Sequence, residues 1–387
     1  MPNDTTAELV AAINEAAKGV SARWDRAYYM EKARNNEAPT ELYDAMAEAG
    51  LFALGVPEEV GGAGGGIVAT AAVVEALSRA GTPPMLYSLT SFARHTIVRH
   101  GTPGQIEAHV VPSLTGERKI CFAVTEPDAG TNTFAMRTRA RRQSDGSYLL
   151  SGQKVFISGA DQADHMLIVA RTTPASEVKS KSEGISLFVA PTNTPGITMQ
   201  AMAIDWQAPE QQFSVSFDDV VLPPETLIGE EGRGLASMFD SMNGERIVVA
   251  AWALGLGYYA LGKAVAYAKE RAPWGAPIGS YQGVAHPLAR AYAQLEAART
   301  MMYQAAEVFD SGGNAGAQAN MAKYLASEAA DAAIDAAIQA HGGAAFDAES
   351  DVVSLWPMIR LLRIAPINNE MVLNYISERV LHLPRSY

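Results

Sequence analysis

The sequence predicts an α+β protein in three consecutive parts: a helical N-terminal domain, a central β-domain and a helical C-terminal bundle. Three observations predict this order. Helical periodicity and helix stops dominate residues 1–118. β-branched and aromatic residues in short alternating runs dominate 119–228. From about residue 234 an Ala-rich helical texture fills most of 229–387.

In the first part, Thr40 precedes a segment with Leu42, Met46 and Ala49 on one helical face, ended by Gly50. The Gly61–Gly66 run breaks the chain, a helix follows from Ile67 to about Ala80, and Pro103-Gly104 open another. In the middle part, strands are expected at the Cys121 segment and at 148–158, 165–172, 185–190 and 213–222. Phe213, Val215 and Phe217 alternate with serines, the period of a strand with one buried face. Turns fall at Asp145-Gly146, Pro195-Gly196 and Pro223-Pro224. In the last part, helices near 235–271, 281–310, 315–341 and 350–381 form an antiparallel bundle, with Gly312-Gly313 and Gly342-Gly343 as stops. Gly255-Leu256-Gly257-Tyr258-Tyr259-Ala260 fits a dinucleotide fingerprint, but it lies inside a helical run with no strand before it. Helix packing is the better reading.

Of the 387 residues, 48% are hydrophobic, enough for a large core. The net charge of −12 argues against a general nucleic-acid binder. One cysteine, Cys121, permits neither an intrachain disulfide nor a Cys-based zinc site. The polar start has no signal-peptide pattern, and no stretch reads as a membrane span, so a cytoplasmic enzyme is expected.

The segment most suggestive of chemistry is Cys121-Phe122-Ala123-Val124-Thr125-Glu126-Pro127-Asp128-Ala129-Gly130-Thr131. A strand that ends in a small-residue turn can present N–H groups and hydroxyls to a polar ring or a phosphate. On the residues alone, an ordinary strand and turn is the simpler reading. The segment resembles the flavin-binding strand of the acyl-CoA dehydrogenase family, A-x-T-E-P-x-A-G-S. The resemblance continues in order. Gly152–Ser158 is similar to G-x-K-x-W-I-T, and Phe217-Asp218-Asp219-Val220 with Pro223 to F-D-D-V-x-V-P. Arg271 with Trp274-Gly275-Ala276-Pro277-Ile278 and Gln282 is similar to R-x-x-F-G-x-P-I and its Gln, and Gln339–Gly343 to Q-x-x-G-G.

The resemblance implies an N-terminal helical domain, a central β-domain and a C-terminal four-helix bundle, with FAD between the last two. By matching position, Phe122, Val124 and Thr125 line the isoalloxazine, and Gly130 and Thr131 approach the pyrophosphate. Phe156, Ile157 and Ser158 stand beside the flavin, Phe156 and Ser158 in place of Trp and Thr. Arg271, beside Trp274, reaches the pyrophosphate of a neighbouring subunit's FAD, an apt task for a guanidinium. The alternative is a solvated helix charge. Gln282, Gln339 and Gly343 help hold the same cofactor, and Asn368 and Glu370 fall at cofactor-side positions of the last loop.

Dehydrogenation needs a carboxylate to take the Cα proton and a donor for the thioester oxygen. Many family members place the Glu in a Y-E-G-T-x-E-I loop. Here Ala365-Pro366-Ile367-Asn368-Asn369-Glu370-Met371 puts Pro366 at that position, and proline also lacks the backbone N–H that donates there. Members resembling isovaleryl- and long-chain acyl-CoA dehydrogenases carry the base on the first bundle helix, directly before an Arg. Asn243-Gly244-Glu245-Arg246 matches that pattern, making Glu245 the expected base and Arg246 a substrate-binding residue. The alternative for Glu245 is an ion pair or a helix cap. The resemblance further implies an acyl-CoA substrate, an electron-transfer flavoprotein as acceptor, and a homotetramer. A same-fold flavin oxidase or monooxygenase, or an impaired subunit of a hetero-oligomer, stays open.

Overall fold

The computed structural model describes residues 4–385. The N-terminal part packs α1 (Asp4–Arg23), α2 (Arg26–Asn35), α3 (Thr40–Glu48), α4 (Gly66–Arg79), α5 (Met85–His100) and the single turn α6 (Pro103–Gln105). Thr40 lies inside α3 rather than before it. Leu42 and Met46 are fully buried, whereas Ala49 is exposed because the helix has already ended. Gly50 follows with φ 71°, the left-handed turn that stops a helix.

The middle part is an eight-stranded sheet of β1 (Ile120–Ala123), β2 (Arg139–Arg142), β3 (Tyr148–Ser158), β4 (His165–Arg171), β5 (Ile185–Pro191), β6 (Ile197–Ala201), β7 (Gln212–Leu222) and β8 (Leu227–Ile228). Its order is β6-β7-β3-β2-β4-β5-β8, and β1 pairs with β4 in parallel. The expected strands are present. β2, β6 and β8 carry little sequence signal: β2 is charged, β6 is mostly exposed, and β8 is only two residues long.

The last part packs α7 (Gly234–Glu270), α8 (Gln282–Asp310) and α9 (Gly316–His341) along their lengths. The fourth expected helix, 350–381, is not continuous. It is divided into α10 (Trp356–Leu361) and α11 (Asn369–Tyr375), because Pro366 cannot supply a helical N–H and Asn368 starts a new helix as its cap. The expectation that no stretch resembles a membrane span also needs correction. α7 is long and apolar enough by length and composition, but most of that stretch is buried as the core helix of the bundle. Gly255 and Gly257 belong to this helix. A Cβ at Gly255 would lie 2.4 Å from the Ser78 Cβ, and one at Gly257 2.8 Å from Leu295. These glycines let α4, α8 and α9 approach α7 and do not form a phosphate loop.

Candidate active site

β1 delivers Phe122, Val124 and Thr125 to the edge of the β-domain, all half-buried. The following turn is held from below. Lys154 is fully buried, and its Nζ donates to Glu126 Oε1 (2.9 Å) and to the Val124 carbonyl (2.7 Å). The Arg137 and Thr138 N–H groups donate to the same carboxylate (2.6 and 3.0 Å). Burial pushes the Lys154 ammonium down to about 8, against the opposing pull of Glu126. For Glu126 burial works upward, but Lys154 and the Arg137 N–H outweigh it and hold the carboxyl below its usual range. Glu126 is therefore a paired structural charge that shapes the turn.

Across the sheet, β3 carries a register shift between Lys154 and Ile157 against β7, and Phe156 takes φ 59° there. The irregularity turns Phe156 outward, 55% exposed, an uncommon setting for a large aromatic ring. Ser158, two residues on and half-buried, bonds the Gln212 side chain of β7. Ile157 points into the core at 1% exposure, so only its backbone is available to a ligand. Gln212 also walls a cleft with Asn36, Met202, Ile204 and Trp206.

The C-terminal loop meets the turn directly. Asn368 caps α11 by accepting from the Met371 N–H (2.9 Å), and its Nδ2 donates to Thr131 Oγ1 (3.0 Å). Beneath the loop, buried Lys323 donates to Asn369 Oδ1 (2.6 Å) and to the Arg363 carbonyl (3.2 Å). Burial lowers Lys323 to about 8, opposed mainly by Glu370, which is exposed in the first turn of α11.

Glu245 lies well inside α7, so it caps no helix end. Ser241, one turn earlier on the same face, accepts a hydrogen bond from Thr96 Oγ1 of α5 (3.1 Å). Among the described residues the Glu245 carboxyl has neither a hydrogen-bond partner nor an ion pair. Burial pushes it up to about 7, and the neighbouring Arg246 opposes the shift only in part. Arg246 donates to Asn243 Oδ1 (2.8 Å), while its Nε is buried without a partner. Tyr375 and Lys323 are close enough to act on Arg246 or be acted on by it, so this end of α7 abuts α11 and the last loop.

The remaining expected cofactor residues gather elsewhere. Arg271, Trp274 (77% exposed), Gln282, Gln339 and Gly343 are all exposed at the opposite end of the bundle. Tyr267 stacks on His341 at 4.5 Å, joining the ends of α7 and α9, and the Ile278 N–H closes the Arg271 loop onto the Arg271 carbonyl (2.8 Å). Along α7, Arg271 lies roughly 39 Å from Glu245 at 1.5 Å per residue. The chain thus splits the expected set: Thr131, Asn368, Glu370, Glu245 and Arg246 converge, and the Arg271 group stands apart. The roles of Gln212 and Lys154 and the Asn368–Thr131 link escaped sequence reading. Only Lys154 left a signal, as the lysine of the Gly152–Ser158 motif.

The first set, with the exposed Phe156 ring of the β-domain, has the chemistry a flavin site needs: an unpartnered carboxyl, an orphaned guanidinium nitrogen, and a turn joined to the last loop through Asn368 and Thr131. The comparisons agree with that fit. Profiles of the acyl-CoA dehydrogenase N-terminal, middle and C-terminal domains match residues 6–117, 121–220 and 232–381. The acyl-CoA dehydrogenase FadE12 of Mycobacterium tuberculosis is 41% identical over 380 residues, 97% of each chain. The caffeyl-CoA reductase–Etf complex subunit CarC of Acetobacterium woodii is 32% identical over 86% of this chain and 88% of its own. Butyryl-CoA dehydrogenase from Megasphaera elsdenii superposes with a TM-score of 0.90 at 29% identity, covering 98% of this chain and 99% of its own. The FAD complex of PigA gives 0.88 at 28%, covering 98% of each chain. Helical, β and bundle parts thus correspond in order along nearly the whole length, and the chain belongs to the acyl-CoA dehydrogenase family of FAD-dependent oxidoreductases.

Proposed function

We propose that the protein oxidises the Cα–Cβ bond of an acyl-CoA thioester and that Glu245 is the base that takes the Cα proton. The observation that carries this is the unpartnered carboxyl of Glu245, raised by burial to about 7. A base poised near neutrality both accepts a proton readily and gives it up again. Arg246 beside it, with a free buried Nε, suits a polar part of the substrate. Bound FAD supplies the acceptor for the Cβ hydride. Phe122, Val124, Thr125, Gly130, Thr131, Phe156 and Ser158, with the Ile157 backbone, Asn368 and Glu370, are the residues we assign to its ring side. Pro366 offers no N–H, so the thioester oxygen takes its donor from elsewhere in the site.

The Arg271 group sits too far along α7 to share one cofactor with Glu245 of the same chain. We therefore assign it to the FAD of a second copy, in a homotetramer. Exposed Trp274, Tyr281 and Phe346 around it support a face that another subunit covers. An electron-transfer flavoprotein as acceptor is supported by the relative named as part of an Etf complex. Cytoplasmic location is the matching reading. The test is an acyl-CoA panel scored by flavin bleaching under nitrogen. If no acyl-CoA bleaches the FAD-loaded protein, the proposed reaction is wrong.

A further inference from the structure

We infer that Gln212 is a positioning residue for the flavin site: its amide directs the Ser158 hydroxyl, letting that hydroxyl either donate to or accept from the bound ring. The inference rests on the FAD reading above and deepens it.

Ser158 and Gln212 are directly opposed in the β3–β7 pair, so their side chains share one face. The frame is rigid at this level, because the Gly159 N–H donates to the Gln211 carbonyl (2.8 Å) just beyond the pair. Gln212 is buried, 5% exposed, and Ser158 is its only side-chain partner among the described residues. Both ends of the amide reach the same oxygen. Gln212 Nε2 lies 2.7 Å from Ser158 Oγ, and Gln212 Oε1 lies 3.1 Å from it.

A serine hydroxyl has one proton and two acceptor sites. When Nε2 donates to Oγ, the serine proton is left to point at a ligand. When Oγ donates to Oε1, a lone pair faces the ligand instead. The exchange needs only a turn of the O–H, because both amide atoms are already in reach. The redox-active edge of a flavin changes in the complementary sense: a nitrogen there is a bare acceptor when oxidised and an N–H donor when reduced. A hydroxyl of fixed direction would suit one state and oppose the other.

The identity of residue 158 sharpens the point. The resembled family carries Thr there, and its β-branch restricts χ1. Serine lacks that restraint and is free to swing among rotamers. In this chain the Gln212 amide supplies from across the sheet what the threonine methyl would supply locally.

The experiment uses FAD-loaded protein and the variants Gln212→Met, Gln212→Asn, Ser158→Ala, Ser158→Thr and the Gln212→Met pairs with each Ser158 variant. Flavin absorption, midpoint potential, FAD affinity and the rate of reduction by the best acyl-CoA are read together. Gln212→Met should retain FAD but shift the absorption band and the potential, and slow reduction about three- to tenfold, the scale of one hydrogen bond. Gln212→Asn, whose shorter amide withdraws from Ser158, should do the same, and it serves if the Met variant folds poorly. Adding Gln212→Met to Ser158→Ala should cost nothing further, because the two act as one unit. Ser158→Thr should rescue Gln212→Met. An FAD-loaded Gln212→Met protein with native spectrum, potential and rate would overturn the inference, as would losses that add in the Ala pair. Failure of the native protein to take up FAD would overturn the flavin reading with it.

Discussion

Helix α7 carries Glu245 toward one end and Arg271 just past the other, and the two ends meet opposite surroundings. Around Glu245 the helix is packed against α5, α9 and the last loop, and the carboxyl is left without a partner. Around Arg271 the helix runs out into water, beside other exposed polar and aromatic side chains. Glu245 is half-buried, and the desolvation of a carboxyl without a partner raises its proton affinity. Exposure leaves an arginine as a grip for something outside its own chain. Under the proposed function, one helix would hold a chemical end complete within the chain and a binding end that is not.

The largest expected effect tests the chemical end. Glu245→Gln keeps shape and removes the base, so flavin reduction should fall about 10²–10⁴-fold while FAD and acyl-CoA still bind. The same carboxyl sets the pH profile. Its basic form grows as pH rises through about 7, so kcat/KM should climb up to that point and level off above it. Glu245→Gln should lack this limb. A profile flat between pH 5 and 8 in the native enzyme would remove Glu245 from the role.

Next comes the binding end. Arg271→Met should weaken FAD retention about tenfold to a hundredfold, the scale of hydrogen bonds to a charged group. It should loosen the oligomer at the same time, read by light scattering. An FAD-loaded native monomer would end the division between the two ends.

Between them, Gly255→Ala should destabilise the fold by about 1–3 kcal/mol, because the new methyl has no room beside Ser78 and the Glu75 carbonyl. Denaturant unfolding measures the loss, and the reduction rate of the folded fraction should stay near native. The smallest effect belongs to Glu370→Gln, which should weaken FAD retention less than Arg271→Met and leave reduction intact. If it abolishes reduction and Glu245→Gln does not, the base lies in the loop.

Much of this was legible in the sequence, for physical reasons. Strands β3, β4, β5 and β7 announce themselves because each buries an alternating or continuous apolar face. The first three bundle helices are bounded by glycines and by the loop after Arg271, which make sharp ends. The fourth helical stretch misled, since its apolar residues continue in helical rhythm through Pro366 while the backbone does not. Glu245 was singled out as a candidate by its place before an Arg, not by burial, which no single sequence displays. Gln212 was invisible because its meaning comes from the residue across the sheet, and strand register is not written in either strand alone. The Asn368–Thr131 bond joins residues far apart in sequence and has the same character.

The left-handed backbone at Phe156 bears on how fast a ligand can be taken up. A bulky residue held at φ 59° costs about 1–3 kcal/mol, and the bulge and the Lys154–Glu126 pair beside it fix the backbone there. A ring held by packing of its own chain would need no rearrangement when a ligand arrives. Uptake at this wall should be governed by encounter and not by refolding, with a rate that rises in proportion to ligand concentration and does not plateau.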